Sequence, residues 1–187
     1  MRTCLRRLDI HIVDALFITH FHADHVEGLR GVVQQAQIRR VYTTPLHEPL
    51  SEWRRARDVL QQPMVTVQAG DVLRIGTTTV RVLWPVPAEL DGTPNNASLV
   101  FDVMRYGVHV LVTGDADAAA QSALVLPMRG YAVLKVPHHG SRYQDPAFVD
   151  RVAPTLALIS VGEGNDYGHP ALQTLDALRR AGVPTLR

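Results

Sequence analysis

The hexapeptide His20-Phe21-His22-Ala23-Asp24-His25, set directly behind an apolar run, constrains this chain more than any other feature. Imidazole and carboxylate are suitable ligands for a divalent cation. Where a chain leaves a strand in extended form, residues 20 and 22 point to the same side. Val26, Leu29, Val32 and Val33 then recur at helical spacing, so a helix should open near Asp24 or His25 and swing those side chains towards a neighbouring point. One short loop could thus feed two adjacent metal ions.

Four donors are too few for two ions, and the sequence offers more. Asp115 closes Val112-Thr113-Gly114-Asp115, where an apolar strand delivers side chains to a sheet edge. It suits a bridge between two ions or, alternatively, a plain helix N-cap before Ala116. His138 and His139 leave the next strand in the same manner. Neighbours on an extended chain point opposite ways, so one is expected as a ligand and the other facing substrate. His169, in Asn165-Asp166-Tyr167-Gly168-His169-Pro170, precedes a helix, and a helix N-terminus attracts anions. His11, His47 and His109 lack such company and read as surface or internally satisfied histidines. Arg39-Arg40, Arg54-Arg55-Arg57 and Arg179-Arg180 read as solvated helix faces.

The rest of the pattern alternates short β-rich runs with helical ones. A first helix is expected over residues 3–8, then strands over 13–19 and 41–44 and a helix over 50–60. Runs 64–68, 72–75 and 79–84 look like an antiparallel meander, and 85–96, rich in proline and asparagine, is a loop. Strands 98–104 and 108–113 follow, then an alanine-rich helix, strand 132–136, helix 147–152, strand 156–160, a glycine-rich loop and helix 171–181. Mixed sheets flanked by helices suggest a layered α/β architecture.

With 46% hydrophobic and 20% charged residues, the 187-residue chain can bury an ordinary globular core. A net charge of +1 supplies no global field for a polyanion, so a nucleic-acid substrate would need local geometry and metal to hold it. Cys4 is the only cysteine, which excludes an internal disulfide and a thiolate metal cluster. No stretch approaches the roughly 20 apolar residues that cross a bilayer, and basic residues 1–7 lack the apolar run of a signal peptide. The chain is therefore expected to be soluble, with any membrane link outside it.

With these residues in view, the chain resembles the metallo-β-lactamase superfamily, and within it the C-terminal domain of the ComEC family of bacterial DNA-uptake channel proteins. The superfamily motif matches His20, His22, Asp24 and His25; its bridging aspartate matches Asp115. Aligning Pro-x-His-Gly with Pro137-His138-His139-Gly140 makes His139 the last metal histidine. The finer resemblance rests on Asn95-Asn96-Ala97-Ser98-Leu99-Val100, Leu111-Val112-Thr113-Gly114-Asp115, Leu134-Lys135-Val136-Pro137-His138-His139-Gly140-Ser141 and Tyr167-Gly168-His169-Pro170. It implies a four-layer αββα sandwich and two divalent metal ions, zinc or manganese, on His20, His22, Asp24, His25, Asp115 and His139. Catalytic roles fall to Asp24, His138 and His169, and substrate contacts to Asn96, Ser141, His138 and His169.

The implied reaction is metal-assisted hydrolysis of a phosphodiester, most simply single-stranded DNA during competence-related uptake. A membrane channel portion of the same full-length protein would be the partner, with this domain on the extracytoplasmic side of a bacterial membrane. Other readings keep the fold and change the substrate to a small phosphodiester or ester, or make the chain a catalytically inactive binding module. Two departures from the family pattern stand out. Where many members carry a further metal histidine, the matching region has Asn95 and Asn96, leaving water or an asparagine oxygen to complete the first site; such an oxygen-richer set suits manganese as well as zinc. Strands expected ahead of the histidine motif and a closing strand after it are missing, so 1–187 reads as a single partial domain, truncated at the N-terminus and slightly at the C-terminus.

Overall fold

Period-two alternation in short strands sorts the apolar side chains into buried zones, and those zones set the layers. The computed structural model describes residues 1–162 and 164–187. The chain opens with α1 (Arg2–Arg7) and β1 (Ile12–Val13); β1 pairs in parallel with β3 (Gln37–Ile38). A parallel sheet of order β2-β4-β5 follows, built from β2 (Leu16–Ile18), β4 (Val41–Thr43) and β5 (Met64–Thr66). Ile18 and Val41 turn to one face of this sheet, where α2 (Ala23–Val26), α3 (Leu29–Val33) and α4 (Leu50–Leu60) bury Phe21, Val26, Leu29, Ala56 and Leu60 against them. Phe17 and Tyr42 turn to the other face and stack with ring centroids 5.1 Å apart.

That inner face meets a larger sheet across Val67, Val80, Val82, Leu99 and Phe101. Its order is β12-β11-β10-β9-β8-β7-β6. β6 (Val72–Ile75), β7 (Thr78–Trp84), β8 (Val100–Arg105) and β9 (Val108–Val112) are antiparallel. From β9 onwards β10 (Val133–Lys135), β11 (Leu156–Leu158) and β12 (Thr185–Leu186) are parallel. The outer face is covered by α5 (Ala118–Ala123) and α6 (Phe148–Val152), which bury Leu111, Leu134, Tyr131 and Phe148, and by α7 (Leu172–Arg180), whose Leu178 packs on Val136, Ala157 and Ile159. The result is the four-layer αββα sandwich expected above. Among the described residues no helix is long and apolar enough to cross a membrane.

Three local expectations need correction. The run 13–19 divides into β1 and β2, because Asp14 and Ala15 belong to neither strand. The helix after the histidine cluster divides at Glu27-Gly28 into the short α2 and α3. Runs 64–84 are not one meander: β5 belongs to the first sheet, and only β6 and β7 form a hairpin. The 11-residue α4 lies between β4 and β5, and such a crossover returns the chain for parallel pairing. At the other end, Thr185–Leu186 does form a strand, β12, beside β11.

Strand direction places the functional residues. β9, β10 and β11 are parallel, so their carboxyl ends share one edge of the large sheet. The Leu99 amide donates to the Thr19 carbonyl at 3.0 Å and ties the end of β2 to the start of β8. A β-bulge between Val82 and Trp84 turns the Trp84 indole towards the helix layer. There its Nε1 donates to the Asn96 carbonyl and pins the loop that precedes β8.

Candidate metal centre

Four strand ends contribute. His20, fully buried just after β2, has Nδ1 3.2 Å from Ser98 Oγ and 3.3 Å from Thr19 Oγ1, which leaves Nε2 facing His22 Nδ1 at 3.1 Å. Hydroxyl partners on one ring nitrogen orient the other, as around metal-binding histidines generally. His22 caps α2, whose first turn carries Asp24 and His25. After β9 the chain turns through Gly114 at φ +50°, where a Cβ would lie 2.9 Å from Ser98 Cβ and 3.0 Å from Thr19 Cβ. Only glycine fits that approach. The Asp115 amide then donates to Ser98 Oγ at 3.1 Å. Asp117, rather than Asp115, caps α5, accepting from the amides of Ala119 and Ala120 at 3.0 and 3.2 Å. Asp115 is left free to face the cluster.

After β10 the backbone enters a left-handed turn, with φ +46° at His138 and +53° at His139. Non-glycine residues held there cost about 1–3 kcal/mol each. The turn overrides the strand-like alternation expected for this pair, and both rings line one cleft. Packing holds it: Ala171 N donates to Gly140 O at 2.8 Å, and His139 Nδ1 donates to the Ser160 carbonyl at 2.6 Å. His139 Nε2 is thereby aimed at the acidic pair.

The ligand atoms of Asp24, His25, Asp115 and His139 all lie within 4.8 Å of one another. His25 Nε2 is 3.3 Å from His139 Nε2, 3.5 Å from Asp24 Oδ2 and 3.3 Å from Asp115 Oδ2. His139 Nε2 is 3.3 Å from Asp24 Oδ2 and 3.5 Å from Asp115 Oδ2. Five of the six separations lie at 3.3–3.5 Å, and a regular tetrahedron with edges of that length would have its centre about 2.1 Å from each corner, the usual zinc–nitrogen or zinc–oxygen distance. The residues present therefore fit a tetrahedral cation. The 3.1 Å separation of His20 Nε2 and His22 Nδ1 is another edge of similar length, beside the first set.

Both sets open onto a cleft of about 660 Å³ lined by His22, Asp24, Asn95, Asp115, His138, His139 and His169, among others. The model of the metallo-beta-lactamase superfamily matches residues 4–156, across β2, β9, β10 and their loops. This chain belongs to that superfamily. Among superfamily relatives, ComE operon protein 3 of Bacillus subtilis is 30% identical over 184 residues, covering 94% of this chain and 23% of the relative. Competence protein ComA of Neisseria gonorrhoeae is 36% identical over 97 residues, covering 50% of this chain and 14% of the relative. The chain thus spans less than a quarter of the length of these two curated relatives. A solved structure, Zn(2+)-bound PqqB from Methylobacterium extorquens, superposes with a TM-score of 0.60 at 11% identity, covering 93% of this chain and 71% of that one.

Charge in this superfamily site is finely balanced. Burial, with His25 nearby, pushes His20 down to about 3, so its ring is neutral and keeps a lone pair. Hydrogen bonds to Asp115 and Asp24 push His139 up to about 10. The same contact with His139 brings Asp24 down to about 2. Burial opposes ionisation of Asp115, but bonds from His139 and His25 outweigh it and hold the carboxyl below its ordinary range. Burial lowers His138. A proton on His139 offsets one of the two carboxylate charges, and the Lys135 ammonium 3.7 Å from Asp115 Oδ1 offsets the other.

The structure brings together His20, His22, Asp24, His25, Asp115 and His139, with His138 3.9 Å from Asp115 Oδ2 and His169 beyond it, the two rings 5.4 Å apart. It does not bring Asn96 or Ser141 to the cleft. Asn96 is buried under the Trp84 indole, and its neighbour Asn95 lines the cleft with a buried Oδ1 that has no hydrogen-bond partner among the described residues. The Ser141 hydroxyl is turned into its own loop, accepting from Tyr143 N at 3.3 Å. His11 pairs with Asp9, His109 with Asp102, and His47 stacks on Trp53, all apart from the cluster. Sequence reasoning missed Thr19 and Ser98, since a hydroxyl behind a histidine carries no spacing signal. It also passed over Lys135, which composition could have exposed.

Proposed function

We propose that the chain is a metal-dependent phosphodiesterase acting on single-stranded DNA, with two divalent cations, zinc or manganese, held by His20, His22, Asp24, His25, Asp115 and His139. The observation that carries this reading is the set of donor atoms from Asp24, His25, Asp115 and His139, all within 4.8 Å of one another at an open cleft. The orphaned Asn95 Oδ1 supports an asparagine oxygen completing the first site. When bound, such cations lower the pKa of water and neutralise charge growing on phosphoryl oxygens.

The protein's own groups position the substrate. Among the described lining residues of the cleft there is no lysine or arginine, so imidazoles meet the phosphodiester. His138 and His169 donate hydrogen bonds to its non-bridging oxygens, stabilising charge where it develops. The left-handed turn fixes His138. Asn165 clamps the His169 backbone, its Nδ2 donating to His169 O at 2.9 Å and its Oδ1 accepting from His169 N at 3.3 Å. Asp24, the most exposed carboxylate of the set, accepts a hydrogen bond from the attacking water.

Likeness to competence proteins supports DNA uptake as the setting. In this reading residues 1–187 act as one catalytic domain of a longer protein, beside a membrane channel and on its extracytoplasmic side. Incubation of the purified chain with labelled single-stranded DNA and manganese or zinc tests the proposal. Cleavage lost in both Asp24→Ala and His139→Ala is expected; no cleavage by the parent chain, or equal cleavage by all three, overturns it.

A further inference from the structure

Of the 19 lysine and arginine residues in this chain, one alone is lysine. That residue, Lys135, lies on β10 between Leu134 and Val136, which face the helix layer, so its side chain takes the opposite face. Lys135 Nζ donates to the Gly114 carbonyl at 2.8 Å and stands 3.7 Å from Asp115 Oδ1. Asp115 is thereby divided. Its Oδ2 is 3.3 Å from His25 Nε2 and 3.5 Å from His139 Nε2, while its Oδ1 is buried with no hydrogen-bond partner among the described residues and has the ammonium beside it.

We infer that Lys135 is a positioning residue: its ammonium, anchored on Gly114, holds Asp115 Oδ1 and reserves Oδ2 for the cations. This rests on the metal-site reading above. It also explains why an arginine-rich chain keeps a lysine here. A guanidinium is a planar fork that takes both carboxylate oxygens at once. Arginine at 135 would engage Oδ2 as well and draw it away from His25 and His139. A compact point charge that can share its donors with Gly114 O leaves Oδ2 where it is.

The test is titration of the metal-free 187-residue chain with Co2+, read by visible absorption and equilibrium dialysis, on wild type, Lys135→Met, Lys135→Gln and Lys135→Arg. Far-ultraviolet circular dichroism and thermal unfolding in chelator select the variants that fold. Folded variants are expected to bind Co2+ about 10–100-fold more weakly, the usual loss when a ligand's supporting partner goes. Their ligand-field bands shift, and Lys135→Arg is no better than Lys135→Met although it keeps the charge. Wild-type affinity and spectrum in Lys135→Arg would overturn the inference, as would wild-type values in Lys135→Met or Lys135→Gln. A parent chain that binds no Co2+ would instead overturn the metal-site reading on which it stands.

Discussion

His25 and His139 are 114 positions apart in sequence, yet their Nε2 atoms lie 3.3 Å from each other with Asp115 Oδ2 within 3.5 Å of both. Two imidazoles and a carboxylate do not cluster this closely for packing, since each loses hydration on burial. The same donors at the same spacing are what a tetrahedral cation requires.

Asp115 and Asp117 should separate cleanly on mutation. Asp115→Asn removes the charge that faces Lys135, His25 and His139, and breaking such a buried pair costs about 3–5 kcal/mol of stability in the metal-free chain. It also abolishes tight cation binding. Asp117→Ala removes only the α5 cap, costing about 1 kcal/mol and leaving cation binding at wild-type strength. Thermal unfolding with and without zinc measures both.

Metal and proton compete for His139. Its value of about 10 in the folded chain is above the ordinary 6.5, so its stabilisation is present below pH 6.5 and lost as pH rises through about 10. His20, lowered to about 3, behaves in the opposite sense, contributing above pH 6.5 and losing its contribution as pH falls towards 3. In chelator the melting temperature should therefore be greatest near neutrality and fall between pH 7 and 9. With zinc it should stay nearly level over that interval, because each bound cation displaces the His139 proton and affinity grows about tenfold per pH unit, which offsets the fall seen in the metal-free chain. Parallel curves with and without zinc would count against His139 as a ligand.

Gly114→Ala should damage fold and site together. Its Cβ would meet Ser98 and Thr19 Cβ atoms at 2.9 and 3.0 Å, and its φ of +50° is strained for alanine. A loss of about 1–3 kcal/mol is expected, with weaker cation binding because Ser98 and Thr19 hold the back of His20. Chemical denaturation and zinc titration provide the measurements.

The layered fold and the meeting of the donor residues were readable because both follow from local signals. Apolar runs mark the strands, and the chemistry of the Asp115 and His139 side chains marks where two of them end. Other features depend on contacts between distant segments. Whether Asn95 or Asn96 faces the cleft is decided by the Trp84 bulge and its bond to the Asn96 carbonyl. The left-handed turn at His138 and His139 is held by the Ala171 amide on Gly140 O and by the Ser160 carbonyl on His139 Nδ1, contacts from distant segments that strand-like alternation does not register. Ser141, polar and next to two histidines, looked like a substrate contact, but packing buries it. Pairing of β5 with β4 needed knowledge of where α4 returns the chain.

Anomalous diffraction from crystals of this chain grown with zinc tests the metal centre most directly. A peak is predicted about 2.1 Å from Asp24 Oδ2, His25 Nε2, Asp115 Oδ2 and His139 Nε2 together. A zinc-saturated crystal with no peak among these four atoms would contradict it.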